Sequence, residues 1–154
     1  MFRSLRIALL FQTVVASCPN GWLSHNQSCF LFSHDREYWP GAFQMCKIMG
    51  GQLVEIHSAA KNNFLLQQIK SSGHTFWIGL SDVSEEGNWI WMPSLTSSAE
   101  YNNWNTGEPS TVNANNEPEN CAEIYTTGKW NDAACSSLYY YICEKMDQDG
   151  EIVG

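Results

Sequence analysis

Residues 104–135 read WNTGEPSTVNANNEPENCAEIYTTGKWNDAAC, the most informative segment of the chain. It holds three short polar clusters: Glu108-Pro109-Ser110, Glu119-Asn120-Cys121 and Trp130-Asn131-Asp132. Their carboxylate, carboxamide and hydroxyl groups are hard oxygen donors. Calcium takes about 6–8 oxygen ligands at roughly 2.3–2.6 Å. The clusters therefore predict a calcium site.

The first two clusters lie in, or at the end of, a long segment with little periodicity. Residues 93–119 are rich in Ser, Asn, Thr, Gly and Pro. A loop this long inside a compact domain is usually functional or disordered. Trp104 within it, and Trp91 and Cys121 on either side, argue against disorder. We expect an ordered loop held by metal ions and disulfides.

The rest of the chain predicts two helices followed by short strands. Pro40 and the pair Gly50-Gly51 bound the first helix, and Ser58 is a good N-cap for the second. The apolar run 76–80 predicts a strand buried on both faces. Shorter strands are expected at 29–32, 53–56, 89–91, 121–125 and 139–143. This pattern indicates an α+β domain.

The N-terminal residues 1–17 have the features of a secretory signal peptide. Arg3 and Arg6 precede a short apolar run over 7–15, which ends at the small residues Ala16-Ser17. The run is about half the roughly 20 residues that a membrane-spanning helix needs. We expect a secreted domain over 18–145, a polar tail over 146–154 and no membrane insertion.

The charge and the cysteine content limit the classes of partner and metal that the chain is expected to bind. The chain has 8 basic and 16 acidic residues, a balance that disfavours nucleic acid and anionic membranes and favours cations. Six cysteines in a secreted chain predict disulfides, with 15 connectivities open from number alone. Zinc is not expected, because no Cys-x-x-Cys pair occurs and His25, His34, His57 and His74 are dispersed.

Over about residues 18–145 the chain resembles the C-type lectin-like domain family. The landmarks stand in the family's order: Cys18, Cys29, Cys46, Trp77-Ile78-Gly79-Leu80, Trp104-Asn105, Gly107-Glu108-Pro109, Cys121, Trp130-Asn131-Asp132, Cys135 and Cys143. The resemblance implies the C-type lectin fold, in which two helices pack on short antiparallel sheets beside a long calcium-binding loop. It also implies the disulfides Cys18–Cys29, Cys46–Cys143 and Cys121–Cys135, which leave only non-covalent homo-oligomers open.

The same resemblance assigns the site. Ca²⁺ would be held by Glu108, Ser110, Glu119, Asn131 and Asp132, and Asp132 would also offer its backbone carbonyl. The first four of these residues would also contact sugar. Two adjacent sugar hydroxyls would fill the open positions on the ion. Pro109 is expected to be cis. Glu117 competes with Glu119, which is preferred because it lies two residues before Cys121.

Ser110 departs from the family pattern, in which Asn marks mannose-type sites and Asp marks galactose-type sites. Glu108 still points to the mannose type, since galactose-type sites carry Gln there. A second, auxiliary Ca²⁺ site would use Asp82, Glu86 and Asn120, with Thr111 where another acid is common. The indoles of Trp77, Trp104 and Trp130 are expected in the core rather than under a sugar.

The sequence and the resemblance favour a secreted, calcium-dependent lectin that recognises cell-surface or microbial glycans in innate immunity. The alternative is a lectin-like domain without sugar binding, acting as a matrix, biomineralisation or protein-binding module. An enzyme is not expected, because acids gathered on a metal serve as ligands and no hydrolase or phosphate-loop motif occurs. Asn26-Gln27-Ser28 is a sequon for N-glycosylation.

Overall fold

The computed structural model describes residues 18–146. The signal peptide expected over 1–17 and residues 147–154 of the expected tail lie outside this range. Within it the chain forms helices α1 (Trp39–Ile48) and α2 (Ala59–Ile69). The strands are β1 (Leu23–His25), β2 (Ser28–Phe32), β3 (Gln52–Leu53), β4 (Phe76–Ser81), β5 (Ile90–Trp91), β6 (Thr96–Ser97), β7 (Cys121–Ile124), β8 (Trp130–Ala133) and β9 (Tyr140–Met146). The predicted α+β class is confirmed.

Both helices begin where local chemistry favours it. Pro40 stands in the first turn of α1, where a missing N–H costs nothing. The Ser58 hydroxyl accepts the Lys61 N–H at 3.2 Å and caps α2. Neither helix within residues 18–146 is long and apolar enough to cross a bilayer.

The sheet pairs strands from the two ends of the described chain. Strands β1, β2, β9 and β3 pair antiparallel at one side, and β4 pairs antiparallel with β5 and β7 at the other. The expectation of antiparallel sheets needs one correction, because β9 runs parallel to β4, with Phe76 opposite Tyr140. A parallel pair requires a long connection, which the chain between β4 and β9 supplies. Strand β8 extends the sheet beyond β7.

The core forms two clusters on opposite faces of the central strands. Strand β4 is buried along its whole length, as its unbroken apolar run predicts. Trp77 and Trp130 are fully buried, and Trp104 packs against the first cluster while partly exposed. The expectation that these indoles serve the core agrees with this packing.

All three disulfides implied by the family resemblance are present: Cys18–Cys29, Cys46–Cys143 and Cys121–Cys135. The second joins α1 to β9, and the third joins β7 to the segment that follows β8. Within residues 18–146 no cysteine is free.

Candidate metal and carbohydrate site

The long loop is held against β8 by its backbone and by its tryptophan. Asn105 N–H donates to the Trp130 carbonyl at 2.8 Å, and Trp130 N–H donates to the Asn103 carbonyl at 2.9 Å. The Trp104 ring makes edge contacts with Trp89 and Trp130, at centroid distances of 4.8 and 5.9 Å. These contacts order the loop and bring the first polar cluster beside β8.

The Glu108–Pro109 peptide bond is cis, as the resemblance implies. Glu108 N–H donates to the Asn105 carbonyl at 3.0 Å, which fixes the turn that precedes the bond. The Ser110 hydroxyl lies 3.5 Å from Asp132 Oδ1 on β8. The Glu108 carboxylate lies near enough to the Asp132 carboxyl to raise its pKa.

Ser110 connects the three clusters of the sequence. Its hydroxyl donates to Glu119 Oε2 at 2.5 Å and lies 3.5 Å from Asp132 Oδ1. Glu117, the competing acid, is instead exposed and accepts the Asn113 side-chain amide at 2.7 Å. The structure therefore brings Glu119, and not Glu117, to Ser110 and Asp132.

Two carboxylate oxygens at this point lack hydrogen-bond partners. Asp132 is fully buried, and its Oδ2 and the buried Glu108 Oε2 accept no hydrogen bond from the described residues. Burial, and then the neighbouring Glu108 carboxylate, raise the pKa of Asp132. Buried carboxylate oxygens without partners are costly unless a cation or a proton compensates them. This donor set fits a hard divalent cation.

Asn131 lies on β8 opposite Glu123 on β7. Its Nδ2 donates to Glu123 Oε1 at 2.9 Å and to the Asp132 carbonyl at 2.6 Å. Asp132 was expected to offer that same carbonyl to the ion, so a bound ion would compete with Asn131 for it.

Glu123 is a buried member of the site that the sequence interpretation did not assign. Only 2% of it is exposed. Burial is the largest cause that raises the pKa of Glu123 to about 7, and the Asn131 hydrogen bond acts against it. Its only signal in the sequence is a shared strand face with Cys121, two residues earlier in β7.

The acids alone do not form a ready metal site. Among residues 18–146, no three His, Cys, Asp or Glu side chains gather closely enough to hold a metal ion. A site here therefore depends on the Ser110 hydroxyl and the Asn131 amide as well as on Glu108, Glu119 and Asp132.

The expected auxiliary site is partly assembled. Asp82 N–H donates to the Asn120 carbonyl at 3.2 Å, and the buried Asp82 Oδ1 and Asn120 Oδ1 lack partners among the described residues. Burial raises the pKa of Asp82. Glu86 and Thr111 are exposed, and no hydrogen bond in the described structure connects either side chain to this pair.

The sequon lies away from these clusters. Asn26 is exposed in the turn between β1 and β2, with Ser28 at the start of β2. Glycosylation of Asn26 stays a prediction.

Comparison with known proteins identifies the fold family. Residues 35–145 match the family described as Lectin C-type domain. The chain is 36% identical over 136 residues to C-type lectin domain family 4 member M from Hylobates lar, covering 88% of this chain and 33% of that protein. The chain thus spans about a third of that relative's length.

Two solved structures share the fold and a substantial part of the sequence. The human scavenger receptor C-type lectin carbohydrate-recognition domain has a TM-score of 0.79 and 31% identity, covering 84% of this chain and 99% of that one. The cow C-type carbohydrate-recognition domain of CD23, solved in the presence of GlcNAc2Man3 oligosaccharide, has a TM-score of 0.76 and 34% identity, covering 86% and 98%. The chain belongs to the C-type lectin domain family.

Proposed function

We propose that this chain is a secreted, calcium-dependent lectin that binds glycans through adjacent sugar hydroxyls. The observation that carries the proposal is the pair of buried, unpartnered oxygens, Glu108 Oε2 and Asp132 Oδ2, beside the Ser110–Glu119 hydrogen bond. The residues that would hold the ion are Glu108, Ser110, Glu119, Asn131 and Asp132. When bound, Ca²⁺ supplies charge compensation and coordination positions for two hydroxyl oxygens.

The side chains of the site have two tasks in this proposal. Glu108, Glu119 and Asp132 provide negative charge, and the free lone pairs of Glu108 and Glu119 can accept hydrogen bonds from sugar hydroxyls. The turn at Pro109 places Glu108 and Ser110 on the same carboxylate of β8. Specificity would come from whether two adjacent hydroxyls match the spacing of these acceptors.

We propose a preference for mannose-type sugars, whose equatorial 3- and 4-hydroxyls are adjacent, slightly over galactose. Glu108 supports this preference, because the resemblance associates Gln at that position with galactose. The mannose-containing oligosaccharide present with the cow domain is consistent with it. Glu108→Gln is the matched variant, since it replaces one carboxylate oxygen with an NH₂ donor and keeps the side-chain length.

The biological setting proposed is recognition of cell-surface or microbial glycans in innate immunity. The signal-peptide features of residues 1–17 and the fully paired cysteines of residues 18–146 support secretion. A single shallow sugar site binds weakly, so we propose that non-covalent homo-oligomers supply avidity.

A glycan array with calcium, repeated with EDTA, tests the proposal. We expect binding to mannose-rich glycans in calcium and its complete loss in EDTA, with recovery when calcium is restored. Asp132→Asn, checked for folding by circular dichroism, should remove the calcium-dependent signal. A wild-type protein with no EDTA-sensitive binding to any glycan contradicts the proposal.

A second candidate is a lectin-like domain that binds calcium, protein or mineral without sugar. Ser110 favours it, because its one hydroxyl proton is already used by Glu119. Isothermal titration with calcium separates the two candidates. Calcium binding without any glycan signal would favour the second function, and signals in both assays would favour the first.

A further inference from the structure

A buried carboxylate is hydrogen-bonded to one proposed calcium ligand. Glu123 and Asn131 face each other across β7 and β8, and their side chains lie on the same face of the sheet. Glu123 Oε1 accepts one Asn131 Nδ2 hydrogen at 2.9 Å. The Asp132 carbonyl accepts from the same nitrogen at 2.6 Å. Both N–H groups of the amide are therefore used within the protein.

The chemistry of a carboxylate makes this contact directional. An ionised carboxylate only accepts hydrogen bonds, so it selects the amide nitrogen and repels the amide oxygen. With Nδ2 directed to Glu123, the planar amide must direct Oδ1 elsewhere. Because Asn131 is only half-buried, packing alone does not fix the orientation of its amide.

Glu123 is itself in a position to hold this arrangement. It is 2% exposed, and its β7 neighbours Cys121 and Ile124 are buried. The hydroxyls of Tyr125 and Tyr139 lie near the carboxylate, but Oε2 has no hydrogen-bond partner among the described residues. Asn131 is thus the side chain that Glu123 holds with a well-formed hydrogen bond. Because Oε2 remains buried without a partner, part of the cost of burying this carboxylate is not compensated.

We infer that Glu123 is a positioning residue, which fixes the Asn131 amide so that its oxygen is available to a divalent cation. The inference rests on the proposed calcium site and adds a residue that does not itself ligate the ion. Removal of a group that hydrogen-bonds to a metal ligand typically lowers metal affinity by about 10–100-fold.

The test compares two replacements by calcium titration. In Glu123→Leu the acceptor is lost, and we expect calcium affinity to fall by about 10–100-fold. Glu123→Gln keeps an oxygen that can accept the Asn131 N–H, so its loss should be smaller. Glu100 is an exposed acid of the long loop over 93–119, so Glu100→Gln is the control for removal of one charge and should bind as the wild type does.

Two measurements keep the outcome clear. Thermal unfolding in EDTA should show Glu123→Leu no less stable than wild type, because a buried carboxylate with an unpartnered oxygen has been removed. The side-chain NH₂ signals of Asn131 in the calcium-free protein should shift in Glu123→Leu and change less in Glu123→Gln.

The inference is overturned if Glu123→Leu binds calcium like wild type, or if both variants lose affinity equally, which would assign the effect to charge. The inference is also overturned if Glu123→Leu loses both calcium affinity and stability in EDTA, because that result would indicate damage to the fold. If the wild-type protein binds no calcium, the proposed function fails first, and the Asn131 signals still report whether Glu123 orients the amide.

Discussion

At the residue scale, Ser110 is where this chain differs most from the lectin pattern it otherwise follows. Its hydroxyl has a single proton, and that proton is donated to Glu119 at 2.5 Å. An asparagine carries an oxygen for a metal and two further N–H donors. Ser110 can contribute an oxygen lone pair to an ion, but it has no second donor for a sugar hydroxyl.

Ser110→Asn should therefore strengthen mannose binding. We expect a gain of about 0.5–1.5 kcal/mol, the usual net contribution of one added hydrogen bond, with tighter calcium binding as well. Titration calorimetry with a mannoside in saturating calcium measures the effect. Ser110→Ala is the companion variant, because it removes the hydroxyl and adds no donor. Equal affinities for wild type and both variants would show that position 110 does not set sugar binding.

Some of the site could be predicted residue by residue, and some could not. Glu108, Ser110, Glu119 and Asp132 stand in recognisable clusters, and the structure brings these side chains together. Glu123 could not be recognised, because its burial depends on the pairing of β7 with β4 and β8. A single glutamate in a four-residue strand carries no local signal of that pairing.

At the scale of elements, local signals predicted where segments begin better than how far they extend. Ser58 and Pro40 marked the helix starts correctly because capping is local chemistry. The strand expected over 53–56 is wrong in extent, since the ladder of β3 covers only Gln52–Leu53. Beyond it, Val54 N–H donates to Ile142 and the Val54 carbonyl accepts from Gly79, so this segment bridges β9 and β4 without extending the β3 ladder.

Helix α2 is joined to the site by a buried asparagine. Asn62 Oδ1 accepts the Trp130 indole N–H at 2.8 Å, and its Nδ2 donates to the Gly128 carbonyl at 3.0 Å. Trp130 begins β8 and directly precedes Asn131 and Asp132. The helix therefore supports the strand that presents two proposed calcium ligands.

Asn62→Ala should destabilise the domain by about 1–3 kcal/mol, because the Trp130 indole N–H stays buried and loses its acceptor. The Gly128 carbonyl keeps its bond from Asn103 at 2.7 Å. Urea unfolding followed by tryptophan fluorescence measures the change. Asn63→Ala, on the exposed face of the same helix, is the matched control and should unfold near the wild-type midpoint. Equal midpoints for the two variants would contradict this role of Asn62.

At the scale of the whole molecule, pH should act in opposite directions on the stability of the calcium-free protein and on the additional stabilisation that calcium provides. In the folded, metal-free state burial raises the pKa of Glu123 from 4.5 to about 7 and also raises that of Asp132. The folded protein then holds more protons than the unfolded chain between these pH values. Its free energy of unfolding should fall as pH rises through that window.

Thermal unfolding across this range, in EDTA and in excess calcium, checks the prediction. In EDTA the unfolding temperature should decrease between about pH 4.5 and about pH 7. The stabilisation added by calcium should increase over the same range, because the ligands must be deprotonated. Glu123→Gln should show a shallower decrease in EDTA. An unfolding temperature in EDTA that rises with pH would contradict the assignment.

The pairing of β2 with β9 places both ends of the described chain at one edge of the sheet. Ser28 lies opposite Met146, and Cys18 is tied to Cys29. Strand β8, with Asn131 and Asp132, lies four strand spacings away through β9, β4 and β7, or about 19 Å. A linker, tag or surface attached at Cys18 or Met146 would leave the proposed calcium site uncovered. Copies immobilised side by side through these residues would therefore keep the proposed site accessible to a glycosylated surface.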